Sequence, residues 1–416
     1  MIRTLLVNTG SNMAVLIVKL AITFIMTPIF VRNLGNHDYG LWEMLGAIIG
    51  YMGLIEMGIR PAVSRYAAHY HALQDDAAQR ETYSTAWLFM LAVGTMLGVL
   101  FYTSAALWPE LLSDTQPVPM RYVWVLMIIG TELFFVFPGY IAESYLDGFQ
   151  KYYLKNAITV VNSVLGALIL YHYITPENGL MLLALINALG MSSKYLIFAL
   201  ILSRPRFGRL KPSPGYFRFV RLTEILTFGS KSLIQGIATR IENATDSLVI
   251  GAFMGPASVP FYSIPANLVQ YIRTIGWTLT HAFMPLFAAM NAKGEAEQIS
   301  EVYLRASRIV VGLLGMLAAC VVVLGGPFIG LWIGQDYAAR ADVLVPVLTA
   351  FTVLPLLNPF QSRVLTAMNK HGIYARWQPV SAAINLGLSL WWVQIWGIEG
   401  VAVASLVPAL LFFPFS

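Results

Sequence analysis

Stretches of about twenty mostly apolar residues recur along nearly the whole chain, interrupted at the midpoint by a basic, proline-broken segment. A helix of about twenty residues crosses the hydrocarbon layer of a bilayer, so each stretch is a candidate membrane span. Twelve are legible: 12–31, 39–58, 84–108, 121–142, 153–174, 179–202, 224–251, 259–290, 303–325, 342–366, 374–396 and 398–416. The midpoint segment, Arg204 to Arg221, reads RPRFGRLKPSPGYFRFVR. It holds six bases (Arg204, Arg206, Arg209, Lys211, Arg218, Arg221) and no acid, with Pro205, Pro212 and Pro214 among them. Such a bridge between two apolar halves predicts a cytoplasmic linker between two bundles of membrane helices. Only 11% of the residues are charged, against about 25% in a soluble domain. The expected class is therefore an all-α polytopic membrane protein of about twelve helices. Its organisation is an N-terminal six-helix bundle (1–202), a linker (203–223) and a C-terminal six-helix bundle (224–416).

Lysine and arginine test this map. The segments expected on the N-terminal side, 59–83, 143–156, 203–221, 291–308 and 363–376 with Arg3, hold eighteen bases. The opposite loops hold three, Arg32, Arg121 and Arg340. That asymmetry places both termini in the cytoplasm. It also removes a nucleic-acid reading of the net charge of +5, because the bases gather on one side of a membrane. The single cysteine, Cys320, lies in an apolar run, and the six histidines form no compact zinc pattern. No metal site, cofactor or disulfide framework is expected. No small-residue cleavage site follows the first apolar run, so it is expected to remain as a span.

The halves repeat. An offset of 220 brings Gly35 onto Gly255, Asp75 onto Glu295, Tyr83 onto Tyr303 and Ala86 onto Ala306; an offset of 219 brings Lys151 onto Lys370. Span count, loop length and loop polarity repeat with them. Six spans per half give repeats of the same orientation, pseudo-symmetric about an axis along the membrane normal, with a central cavity between them. Pro28, Pro138, Pro265, Pro285 and Pro355 fall within or at the ends of spans and are candidate kinks; the eighth span is long enough to tilt or to carry a turn at Pro265. Gly46, Gly50 and Gly53 in the second span predict close helix packing.

Several stretches resemble the oligosaccharide flippases that carry O-antigen or exopolysaccharide repeat units. These form a branch of the multidrug/oligosaccharidyl-lipid/polysaccharide (MOP) exporter superfamily. The carriers are TPIFVRNLGNHDYGLWEML (Thr27 to Leu45), GYMGLIEMGIRPAVSRYAA (Gly50 to Ala68), RIENATDSLVIGAFMGPASVPFYSIPANL (Arg240 to Leu268) and LDGFQKYYLKN (Leu146 to Asn156). Pro260 stands where that family more usually has glycine. The resemblance implies a MATE-like, two-bundle, alternating-access carrier of the bacterial cytoplasmic membrane. Its cargo would be a polyprenyl-diphosphate-linked oligosaccharide, moved from the cytoplasmic to the periplasmic leaflet. Its partners would be that substrate, membrane lipids, a coupling proton or sodium ion, and other polysaccharide-assembly membrane proteins.

Charges at membrane depth are expensive and mark candidate sites. Lys19, Lys194, Arg240 and Arg273 are candidates to neutralise a diphosphate, with arginine offering bidentate hydrogen bonds. Asp246, which matches an acidic position of the resemblance, and Glu132 and Glu56 are candidates for ion coupling or for simple pairing with these bases. Two other readings stay open here. A multidrug or small-cation antiporter of the same superfamily would work through Glu56, Glu132 and Asp246. A membrane-embedded glycan polymerase or ligase would need catalytic groups in a large outer loop. The longest outer loop, Pro109 to Met120, holds only Glu110 and Asp114, so no catalytic residue is expected.

Overall fold

The computed structural model describes residues 2–111, 119–281, 283–367 and 372–412. Asp114 and Lys370 lie outside them. Among the described residues the chain forms thirteen α-helices and no strand. In order these are α1 (Ile2–Met52), α2 (Leu54–Ala72), α3 (Asp76–Leu111), α4 (Met120–Gly148), α5 (Tyr152–Tyr173), α6 (Gly179–Leu202) and α7 (Phe219–Met254). There follow α8 (Val259–His281), α9 (Met284–Ala292), α10 (Ala296–Trp332), α11 (Gln335–Val353), α12 (Gln361–Ala367) and α13 (Gly372–Phe412).

Among the described residues, eight helices are long and apolar enough to cross a membrane. Two of them, α1 and α13, contain a sharp kink, at Gly35 (φ 70°) and Gly397 (φ 61°), and each carries two of the expected spans. The remaining two spans fall on α7 and on α8 with α9. These are diluted by Arg240, Asp246, Asn267, Gln270 and Arg273, which is why they stand below the others in hydropathy. The protein is a multi-pass membrane protein.

Element boundaries recur 220 residues apart. The helix before Gly35 ends at 34 and α7 ends at Met254; α2 ends at Ala72 and α9 at Ala292. Helix α3 begins at Asp76 and α10 at Ala296. Gly35 and Gly255 share one backbone conformation, φ/ψ of 70°/174° and 84°/157°. That region is essentially closed to residues with a Cβ. Gln74 (φ 55°) and Gly294 (φ 73°) likewise both turn left-handed just ahead of α3 and α10.

The chain divides into two compact units, Met1–Gly35 with Met52–Ile234, and Asn36–Tyr51 with Gln235–Ser416. In the first, α4 lies against α2, α3 and α6. Glycines let the backbones approach: a Cβ at Gly94 would stand 2.6 Å from the Leu133 carbonyl oxygen, and one at Gly98 2.8 Å from that of Gly130. Small residues at such crossings are how membrane helices gain contact without a hydrophobic drive between them. Helices α5 and α6 turn Leu165, Leu168, Leu189, Leu196 and Leu200 outward, an apolar surface suited to lipid. In the second unit α11 lies against α8, α10 and α13, burying Ala341, Leu344, Val345 and Leu348.

Of the two readings of the long eighth span, a tilt or a turn at Pro265, the turn is not there. Helix α8 runs through Pro265 as far as His281, and Pro285 lies in the first turn of α9. Pro265 lies in the second turn of α8, where the amide it lacks and the strain of its ring are readily accommodated. Pro28 and Pro138 also lie inside continuous helices, whereas Pro355 sits in the 3-10 turn that ends α11.

Candidate functional site

In the second unit Asp246 is buried in α7, with 6% of its surface exposed. Tyr262 of α8 donates its phenolic hydrogen to Asp246 Oδ2, and Ser405 Oγ of α13 donates to the same oxygen at 3.2 Å. Asn385 Nδ2, also from α13, donates to Ser405 Oγ at 2.9 Å. Among the described residues no base forms an ion pair with Asp246. Its Oδ1 and the Oδ1 of Asn385 are buried with no hydrogen-bond partner among the described residues. A buried carboxylate is costly unless its charge is compensated. A nest of oxygens in which two carbonyl-type acceptors go unused is chemically suited to a proton or a small hard cation, which takes oxygen ligands.

Arg240 stands about two turns earlier on α7, and its guanidinium lies on the Cα of Gly50. A Cβ there would fall 2.1 Å from Nη2 and 2.5 Å from Cζ. Gly50 thus makes room for a cation; Gly46 meets nothing within 4 Å, and Gly53 forms the turn between α1 and α2. Arg240 Nε is buried without a hydrogen-bond partner among the described residues. Asp246 is therefore engaged elsewhere and does not serve as the partner of Arg240. Tyr51, one residue beyond Gly50, bonds Thr245. Arg273 of α8 lies 5.4 Å over the ring of Phe351 and within electrostatic reach of Tyr262.

The first unit treats its charges differently. Arg60 of α2 meets Glu143 of α4 at 3.2 Å and Glu56, one turn earlier, at 3.7 Å. Lys155 of α5 meets Asp147 at 2.5 Å and Glu143 at 3.6 Å. The Arg60 guanidinium also lies 4.9 Å from the Tyr140 ring centroid. Glu132, 7% exposed, receives Asn187 Nδ2 at 3.1 Å from both of its oxygens. Lys194 lies over Tyr195 at 4.3 Å and within electrostatic reach of Glu132, Glu143 and Lys19. Lys19 itself is exposed on α1.

The four candidate cations thus fall two to each unit, Lys19 with Lys194 and Arg240 with Arg273. Lys19 and Arg240 stand one residue off the repeat spacing, so the two halves carry a base at nearly the same place. Of the candidate acids, Glu56 joins an ion-pair network, Glu132 meets an amide, and Asp246 lies in the polar nest. Sequence reasoning missed Arg60, Glu143, Asp147 and Lys155, although Glu56 with Arg60 and Glu143 with Asp147 stand four apart, on one helix face. It also missed Tyr262, Asn385 and Ser405, whose link to Asp246 has no local signal.

Three comparisons place this geometry among known proteins. An "Uncharacterized membrane protein EpsK" of Bacillus subtilis is 22% identical over 97% of this chain and 80% of the relative. A "Probable low-salt glycan biosynthesis flippase Agl15" of Haloferax volcanii is 21% identical over 92% of this chain and 76% of the relative. The solved inward-facing structure of a multidrug resistance MATE family transporter of the MOP superfamily superposes with a TM-score of 0.76, covering 96% of both chains at 16% identity; it shares the fold. The family described as "Polysaccharide biosynthesis protein" matches residues 5–291. With more than half of its length so matched, the chain belongs to the polysaccharide biosynthesis protein family.

Proposed function

We propose that the chain is an alternating-access flippase that moves a polyprenyl-diphosphate-linked oligosaccharide from the cytoplasmic to the periplasmic leaflet. The observation that carries this reading is Arg240: a guanidinium held at membrane depth over a glycine, with no carboxylate partner among the described residues. A base kept at that depth without an acid calls for an anion brought by the cargo, and a diphosphate fits its bidentate donors. Arg273, Lys19 and Lys194 add positive charge in both halves. Family membership supports a glycan cargo. The chemistry is transport, with no bond made or broken. Both termini face the cytoplasm in this reading, on the strength of the lysine and arginine asymmetry.

The coupling ion is a proton or sodium, held at Asp246 with Tyr262, Ser405 and Asn385. The unused oxygens there support it. Glu56 is paired with Arg60 one turn on along α2, and Glu132, with Asn187, ties α4 to α6 instead. A cation antiporter of the same superfamily would also use Asp246, so one experiment must separate the two. Complementation in a bacterium lacking its own oligosaccharide flippase does so. The intact chain is expected to restore surface glycan, and Arg240→Ala and Arg273→Ala, at equal membrane levels, are expected to fail. If the intact chain leaves the surface bare while exporting cationic dyes, the antiporter reading replaces this one.

A further inference from the structure

The linker is not a slack tether. Leu210 is fully buried, and its amide bonds the Leu202 carbonyl at 3.0 Å. Phe207 stacks on Phe149 with centroids 6.3 Å apart. The Ser213 amide donates to Ser84 Oγ at 3.3 Å, and the Arg218 amide to Thr85 Oγ1 at 3.0 Å. Arg218 and Arg221 both meet Glu81 at 3.3 Å, and Arg221 also meets Glu224 and the Tyr70 hydroxyl. These contacts strap residues 204–221 across the ends of α3 and α4, within the first unit. They consume two of the six bases. The other four, Arg204, Arg206, Arg209 and Lys211, are exposed and make no ion pair among the described residues. Arg209 even holds a left-handed backbone (φ 52°), a conformation disfavoured for a residue with a side chain.

The strap leaves the end of α6 at Leu202 and returns at the start of α7 at Phe219, so both of its ends meet the same membrane face. At its return, Phe219 and Val220 are 73% and 68% exposed. Exposed cations and outward apolar side chains carried on one strap match the two zones of a bilayer surface, anionic headgroups above and acyl chains below. We propose that the strap is a docking surface for anionic phospholipid headgroups, gripped by Arg204, Arg206, Arg209 and Lys211 and seated by Phe219 and Val220. The site depends only on the strap lying at a membrane face, whichever side that is, and stands apart from the transport reading.

The test uses the full chain purified in neutral detergent and titrated with phosphatidylglycerol or with phosphatidylcholine. Retained lipid is counted by native mass spectrometry, and thermal melting is followed in parallel. Phosphatidylglycerol is expected to bind and raise the melting temperature, in a salt-sensitive way, where phosphatidylcholine does neither. The variant R204Q/R206Q/R209Q/K211Q should lose roughly one to two orders of magnitude in phosphatidylglycerol affinity. It should melt like the intact chain without lipid, since the four side chains are exposed and make no ion pair among the described residues. The charge-preserving R204K/R206K/R209K should keep most of the binding. Undiminished phosphatidylglycerol binding by the glutamine variant would overturn the proposal. So would displacement of the lipid by inorganic diphosphate at equal concentration, which would make the strap a site for soluble anions.

Discussion

The two units are built on one repeat, yet they hold their buried charges in opposite ways. In the first, three acids and two bases from α2, α4 and α5 compensate one another: Glu56, Glu143 and Asp147 with Arg60 and Lys155. In the second, among the described residues, Asp246 sits among hydroxyls and an amide with one oxygen unused, and Arg240 rests on Gly50 without an acid. A closed network gains its stability from being complete, and removing any member leaves an uncompensated charge. An open nest keeps capacity for something that arrives and leaves. The comparison teaches that depth in the membrane does not by itself mark a working charge. What marks it is whether the protein has already answered that charge.

That contrast can be broken from either side. The largest effect is expected at the centre of the network. Glu143→Ala removes the nearer acid from Arg60 and leaves Lys155 to Asp147 alone, and should destabilise the fold by about 3 kcal/mol, read as a lowered midpoint of denaturant unfolding in detergent. A double-mutant cycle with Arg60→Ala should show that the two losses do not add. Next comes Asp246→Asn, which keeps the shape and removes the charge. It should reduce ion-coupled flipping on the order of 100-fold while membrane levels and melting stay near those of the intact chain. If Asp246→Asn instead unfolds the protein and Glu143→Ala only slows transport, the division of roles is reversed.

The repeat offers a sharper pair. Gln74 and Gly294 hold equivalent left-handed positions, but only the second unit has glycine there. Gly294→Ala should cost about 1 kcal/mol, and Gln74→Gly should gain up to about 1 kcal/mol, because a left-handed backbone penalises any Cβ by roughly that amount. Melting of both variants checks the signs. The smallest change in stability is expected from Gly50→Ala. The added methyl meets the tip of a long side chain, so Arg240 shifts aside and the fold changes by within about 0.5 kcal/mol. Complementation should nevertheless fall, because the guanidinium is displaced from its seat.

Much of the architecture was legible because membrane spans are long and uniform. The repeat announced by Gly35 and Gly255 reappears as a shared backbone conformation, and the helix boundaries follow it. Legibility failed where composition and geometry part company. Helices α7 and α8 carry the polar residues of the candidate site and so look least like spans. Pro265 reads as a breaker but lies near a helix start, where it breaks nothing. For the site itself, the single charges stood out against apolar sequence, while their surroundings did not. Asp246 was visible; that Tyr262, Asn385 and Ser405 surround it was not, since they lie 16 to 159 residues away and are joined only by folding. Conversely, the i, i+4 spacing of Glu143 and Asp147 was visible on one helix, but their bases arrive from α2 and α5.

The most direct test of the division between units is flipping by the full chain reconstituted in liposomes, driven in turn by a sodium gradient and by a pH gradient. One of the two is expected to accelerate flipping by the intact chain. Asp246→Asn should be indifferent to both gradients, whereas Glu132→Gln should respond as the intact chain does. If Asp246→Asn still follows the gradient and Glu132→Gln does not, the coupling ion belongs to the first unit and the account given for Asp246 is wrong.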